Sequence, residues 1–247
     1  ALEPPRIEDS PALLRTLDLL SRLKEASRGE VPVFGVALAP FSLPVLQMGF
    51  EPYMRLLWEE PGLHARLMAV DCAFCVAWAN AQLAAGADTI GLADPLASTS
   101  MVTAEQFRRL GLQATAGTRA GIHGAVATFL ASASAIPAME DLIRTGTSAV
   151  SIGPHEDLEE AKAVAGGRVA VLGNLDGISM RRWTDQEAEA QVKAAIRKAG
   201  RGGGWILSDG HGEIPWQVPE SVLDAIAAAV DRWGRYPLDW VEAEVAR

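Results

Sequence analysis

The residues best suited to chemistry in this chain lie in short polar sets bordered by glycine or alanine. The richest is Gly203-Gly204-Trp205-Ile206-Leu207-Ser208-Asp209-Gly210-His211-Gly212-Glu213-Ile214-Pro215, an apolar run that stops in a polar turn. His211 is one of four histidines, and its two glycine neighbours let the backbone come close to whatever the ring faces. Three more sets have the same form: Ala93-Asp94-Pro95-Leu96-Ala97-Ser98, Ala131-Ser132-Ala133-Ser134 and Gly173-Asn174-Leu175-Asp176. A sparser one, Ala39-Pro40-Phe41-Ser42, offers only a hydroxyl. His211 and Asp94 are the candidates for proton transfer, and Asn174, Asp176, Asp209, Ser132 and Ser42 for holding a substrate. Each also has a structural reading. Asp94 can cap the following turn, Asn174 and Asp176 can form Asx turns, Ser132 can permit close packing, and His211 can be a solvated turn residue. Glu213 and Trp216 flank the last turn, either against a ligand or in solvent.

Cys72 and Cys75 form a C-x-x-C pair, which invites a redox or zinc reading. They fall in the middle of a long helical pattern with no Gly or Pro beside them. A redox pair needs a helix N-terminus to lower the thiol pKa, and a zinc site needs two further ligands nearby. Packed, small apolar cysteines are the expectation.

The elements that must carry these sets repeat one unit: apolar strand, polar tip, amphipathic helix. Strands are expected at 31–37, 88–92, 125–130, 148–152, 168–172 and 205–207. Helices are expected from Pro11 with Ser10 as cap, over 62–84, from a capping box at Thr103-Ala104-Glu105-Gln106, and over 137–144, 158–165, 184–198 and 222–230. Leu13, Leu14, Leu17, Leu20 and Leu23 form the expected buried stripe of the first helix. Residues 1–8 read as a linker and 233–247 as a tail around one domain. No hairpin signal interrupts the series, so the strands are expected to be parallel, with every tip on one face. Six units are two short of a closed eight-stranded barrel, so either the sheet is open or the barrel is incomplete in this chain, with its first part upstream.

Composition narrows the function classes. A formal charge of −9 argues against wide nucleic-acid contact, while leaving room for a small anion at a local arginine or helix end. No run of eighteen apolar residues and no charged-then-apolar leader is evident, so a soluble, cytoplasmic chain without membrane contact is expected. Two cysteines fit a reducing compartment.

Four of these sets, in order and spacing, resemble the uroporphyrinogen decarboxylase superfamily over roughly residues 10–232. They are Val33-Phe34-Gly35 into Ala39-Pro40-Phe41-Ser42; Gly86-Ala87-Asp88 into Ala93-Asp94-Pro95; Leu172-Gly173-Asn174-Leu175-Asp176; and Gly210-His211-Gly212 with Pro215 and Pro219-Glu220. The resemblance implies an α/β, (β/α)8 TIM-barrel-like fold, of which this chain lacks about two N-terminal βα units. It also implies that arginine- and aspartate-bearing loops in those units bind the porphyrinogen carboxylates. Two branches of the superfamily compete.

In the decarboxylases a histidine in the final Gly-His-Gly turn binds the tetrapyrrole, and His211 has that position. Their tyrosine after the Pro-aromatic turn falls on Leu46. The methylcobamide methyltransferases move a methyl group between a corrinoid and a thiol or related acceptor, and residues 93–98 look more like theirs. They use a zinc held by a His-x-Cys pair and a later cysteine. Counting back from Gly146, the His-x-Cys pair falls on Leu130 and Ser132, and the later cysteine, at the final turn, falls on His211. His211 is then the single strong metal ligand of three, and the zinc mechanism does not carry over.

Three readings follow. One is corrinoid-linked methyl transfer without the zinc, with a corrinoid protein as possible partner and a homodimer as possible state. The second is tetrapyrrole decarboxylation. The third is a non-catalytic member that binds a corrinoid or a partner.

Overall fold

The computed structural model describes residues 3–245, with side chains through Ala243. In chain order the elements are α1 (Pro11–Ser27), β1 (Phe34–Leu38), α2 (Leu43–Met48), α3 (Phe50–Glu59), α4 (Pro61–Ala84), β2 (Thr89–Ala93), α5 (Ala104–Leu110), α6 (Leu112–Gly121), β3 (Ala125–Phe129), α7 (Met139–Arg144), β4 (Ala149–Ser151), α8 (Leu158–Ala165), β5 (Ala170–Leu172), α9 (Asp185–Ala199), β6 (Trp205–Ile206), α10 (Glu220–Trp233) and α11 (Asp239–Val245). All six strands join one parallel sheet in the order β1-β2-β3-β4-β5-β6. Sequential parallel neighbours with a helix on every return are consistent with a partial TIM-barrel-like sheet. Among the described residues β1 and β6 are the edges of this sheet.

Local chemistry explains where the helices start. Ser10 accepts from the Leu13 amide with Pro11 in the first turn, and Thr103 and Thr184 form complete capping boxes with Gln106 and Glu187. Asp157 accepts from the Glu159 and Glu160 amides at the head of α8. Two short helices lie where the pattern shows none, α2 and α3. Gly49, at φ 90° between them, and the early prolines Pro44 and Pro52 cut the stretch below the length at which a 3.6-residue period is visible. A further helix, α11, falls in the expected tail; Trp240 stacks edge-on to Trp233 at 5.4 Å and donates its indole N–H to the Trp233 carbonyl.

The first helix departs from its expected stripe. Only Leu20 is buried, while Leu14 and Leu23 stand in solvent. Leu13 and Leu17 are half-buried against the same core cluster as Leu20, and at the C-terminal end of α1 Ser21 donates to the Ala85 carbonyl and Lys24 pairs with Asp88. The expectation that nothing is apolar enough to span a bilayer is also corrected: α4, 24 residues long with an 18-residue window of mean hydropathy 1.4, meets that test by length and composition. Here it lies along β1, β2, α3 and α6, and Asp71 and Gln82 are buried in its length. Cys72 and Cys75 are free thiols in its middle, donating to the Ala114 and Leu38 carbonyls; burial raises both pKa values.

One face of the sheet is covered by the helices and the other faces a cavity. On β1, Gly35 and Ala37 turn to the helices, and Phe34 and Val36 to the open side. Gly35 has to be small, since a Cβ there would lie 2.9 Å from Gln82 Oε1. Gln82 uses that closeness. Its amide accepts from the Val36 N–H and donates to the Val36 carbonyl, at 2.9 and 3.0 Å, doing for the edge strand what a neighbouring strand would do.

Candidate active site

The strand tips converge at the C-terminal end of the sheet on a cavity of about 360 Å³. Its floor is apolar, with Phe34 and Val36 from β1, Gly91 and Ala93 from β2 and Phe129 from β3. Its rim is the polar turn 209–213 that follows β6. Asp209 shapes this turn by accepting from the His211 and Gly212 amides at 2.8 and 2.7 Å. The imidazole of His211 is thereby set between two loops. Its Nδ1 meets Ser132 Oγ, after β3, at 2.5 Å, and its Nε2 meets Asp176 Oδ1, after β5, at 3.2 Å.

These neighbours define a proton path. Asp176 also accepts from the Ser179 hydroxyl and from the Ile178 and Ser179 amides. Partial burial raises its pKa, but the bonds from Ser179, His211 and those amides outweigh this and hold it at about 2. A carboxylate ionised throughout the neutral range accepts the Nε2 proton, which leaves the Nδ1 lone pair for the Ser132 hydroxyl. Ser132 is exposed, and it and Ala131 take left-handed backbone angles of φ 70° and 49°. Such angles persist in non-glycine residues only where the surroundings impose them. Glu156 supplies the restraint: its carboxylate accepts from the Ser134 hydroxyl and the Ala135, Ile136 and Gly153 amides at 2.7–3.0 Å. Sequence reasoning missed Glu156, although a carboxylate directly after Gly153-Pro154-His155, at the end of the fourth strand, is a visible signal.

The other residues picked from sequence lie elsewhere. Asp94 is fully buried, accepting from Ser42 Oγ at 2.6 Å and Thr115 Oγ1 at 3.1 Å, and Ser42 in turn accepts from the Leu96 amide. Burial pushes the Asp94 carboxyl up to about 6 against those bonds. This trio ties the β1 and β2 tips to α6 beneath the surface, and neither Asp94 nor Ser42 lines the mouth cavity. Asn174 spends its amide on the Gly153 and Glu156 carbonyls. It faces a separate cleft of about 410 Å³ between α8 and α9, whose Lys198 is paired with Asp157. Thus Ser132, Asp176, Asp209 and His211 are joined by hydrogen bonds; Asn174 shares the second cleft with Asp176 but not those bonds, and Asp94 with Ser42 lies apart.

The family model for uroporphyrinogen decarboxylase (URO-D) matches residues 1–233. The chain belongs to the uroporphyrinogen decarboxylase family. Its relatives in this superfamily span two activities. A "Uroporphyrinogen decarboxylase" of Ralstonia nicotianae is 27% identical over 232 residues, covering 87% of this chain and 64% of that protein. A "Methylcobamide:CoM methyltransferase MtaA" of Methanosarcina barkeri is 24% identical over 225 residues, covering 90% and 64%. The chain thus spans less than two thirds of the length of these curated relatives. A solved structure described as a methyltransferase from Methanosarcina mazei shares the fold, with a TM-score of 0.82 at 20% identity over 94% of this chain and 71% of that one.

A zinc of the kind that the family resemblance implies does not fit these side chains. Leu130 has no donor atom and is buried, and both His211 nitrogens already carry hydrogen bonds. Among the described residues no three His, Cys, Asp or Glu side chains gather in a metal-holding arrangement.

Proposed function

We propose that this protein transfers a methyl group from a corrinoid to a thiol or related acceptor, with His211 as the base that readies the acceptor. The carrying observation is the hydrogen-bonded series Ser132–His211–Asp176, whose central imidazole lines an apolar cavity. A zinc-dependent site lowers the pKa of the acceptor; a base beside the acceptor removes the same proton without a metal. The corrinoid, as the bound donor substrate, supplies an electrophilic methyl group. The acceptor X–H gives its proton to His211 Nδ1, either in place of the Ser132 hydroxyl or through it. Asp176 then stabilises the imidazolium. A donor bound over the apolar floor would displace water from the reacting atoms, which strengthens each of these interactions.

A broad, flat donor needs a broad, apolar rim. Leu46, Met101, Ile178, Ile214 and Trp216 are exposed on segments that leave the C-terminal ends of four strands, and Trp216 is 88% exposed. Such a rim supports docking of a macrocycle or of a protein that carries one. The accompanying fold reading is a (β/α)8 barrel to which this chain contributes six units, supported by the sequential strand order and the side-chain capping of β1.

Decarboxylation is the second reading, favoured by the decarboxylase relatives. There His211 would donate a proton to a carbanion-like pyrrole carbon. Its cationic cradle would have to come from outside this chain, because among the described residues no Lys or Arg lines the mouth cavity.

The test is demethylation of methylcobalamin by a panel of thiols, followed by visible absorbance, for the native chain and His211→Gln. Removal of a general base should slow the transfer by about 10²–10⁴-fold. An unchanged rate in a folded variant, or decarboxylation of an oxygen-protected porphyrinogen in place of methyl transfer, would remove this reading.

A further inference from the structure

We propose that Ser132 is itself a nucleophile, which takes an acyl group from a small apolar ester and passes it to water. This activity shares His211 and Asp176 with methyl transfer but does not depend on that reading.

Three observations carry it. The first is the order of contacts, hydroxyl to imidazole to carboxylate, with Ser132 Oγ 2.5 Å from His211 Nδ1 and His211 Nε2 3.2 Å from Asp176 Oδ1. The ring is turned over relative to the familiar serine–histidine–aspartate arrangement. The two nitrogens are chemically equivalent in this role, provided one accepts while the other donates. The second is the setting of the hydroxyl. It stands exposed on a turn directly after β3, in a left-handed backbone geometry, on a loop fixed by the Glu156 carboxylate. Nucleophilic serines are commonly presented on such a constrained strand-end turn. The third is room for an acyl group, since the cavity floored by Phe34, Val36 and Phe129 begins beside Ala131 and His211.

The step balances with water as the only co-reactant. The Ser132 hydroxyl proton passes to His211 Nδ1 as Oγ bonds to the acyl carbon, and the ester C–O bond breaks. That proton leaves with the departing alcohol. Water then attacks the acyl carbon, a proton returns through His211 to Ser132 Oγ, and a carboxylic acid is released. An ester suits this site better than an amide because an alkoxide leaves with less help than an amine. Asp176 acts here as a positioning residue.

The experiment treats the whole chain with a fluorophosphonate probe, reads intact mass and locates the adduct by peptide mapping. Hydrolysis of p-nitrophenyl butyrate is followed alongside. We expect one adduct, on Ser132, and none in Ser132→Ala. In His211→Gln, labelling and hydrolysis should fall by about 10²-fold or more, and in Asp176→Asn by about tenfold or more with a displaced pH–rate profile. No adduct on Ser132 at a probe dose that saturates trypsin overturns the proposal. So does labelling of Ser132 at the native rate in His211→Gln, an arm that holds even if Ser132→Ala fails to fold. Methyl transfer is assayed separately, so the loss of either activity leaves the other standing.

Discussion

At the scale of single residues, two aspartates that look alike in sequence have opposite electrostatics. Asp176 receives four hydrogen bonds and is held at about 2, so its charge is available to His211 at any pH the protein meets. Asp94 is fully buried and raised from 3.8 to about 6. A carboxyl with a raised folded pKa favours folding while both states are protonated, and that contribution is lost as the pH climbs through the gap. Native stability should therefore decline between about pH 4 and 6 by roughly 3 kcal/mol from this residue. Asp94→Asn should flatten this part of the profile, read from urea midpoints across that range. A profile that keeps its slope in the variant would show that the charge on Asp94 is not its origin.

At the scale of elements, the edge strand is the instructive case. Gln82 is buried on α4 and closes both backbone bonds of Val36. Gln82→Ala removes two hydrogen bonds and leaves a cavity over Gly35, so a loss of about 2–3 kcal/mol is expected in denaturant unfolding. A loss below about 0.5 kcal/mol would mean that water replaces the amide at no cost. The α9 capping box offers a control far from the mouth. Thr184→Ala should cost about 1 kcal/mol and leave the reactions of His211 unaffected.

On the scale of the whole molecule, the segments that leave one end of a parallel sheet carry the reactive series and several exposed apolar side chains. Trp216, at 88% exposure, touches little of the fold, so Trp216→Ser should change stability by no more than about 0.5 kcal/mol. If that rim receives a corrinoid, the variant should bind methylcobalamin at least about threefold more weakly by absorbance titration, since a buried aromatic is worth 1 kcal/mol or more. Equal affinity in native and variant chains would place the donor elsewhere.

The sequence by itself determined the parallel βα series and the polar tips. Apolar runs bounded by glycine at 86, 146, 166–167 and 202–204, with capping residues at 10, 103 and 184, are local signals written within a few residues of one another. Membership in the uroporphyrinogen decarboxylase family was legible for the same reason. What only the tertiary structure decided is which tips meet. Ser132 and His211 are 79 positions apart and Asp176 and His211 are 35 apart, so neither contact leaves a periodicity to read. The same holds for Asp94, whose Ala-Asp-Pro tip looks like the others but turns its carboxylate inward to Ser42 and Thr115. Side-chain direction at a strand end depends on the neighbouring loops and on burial, and those are set by packing across the chain.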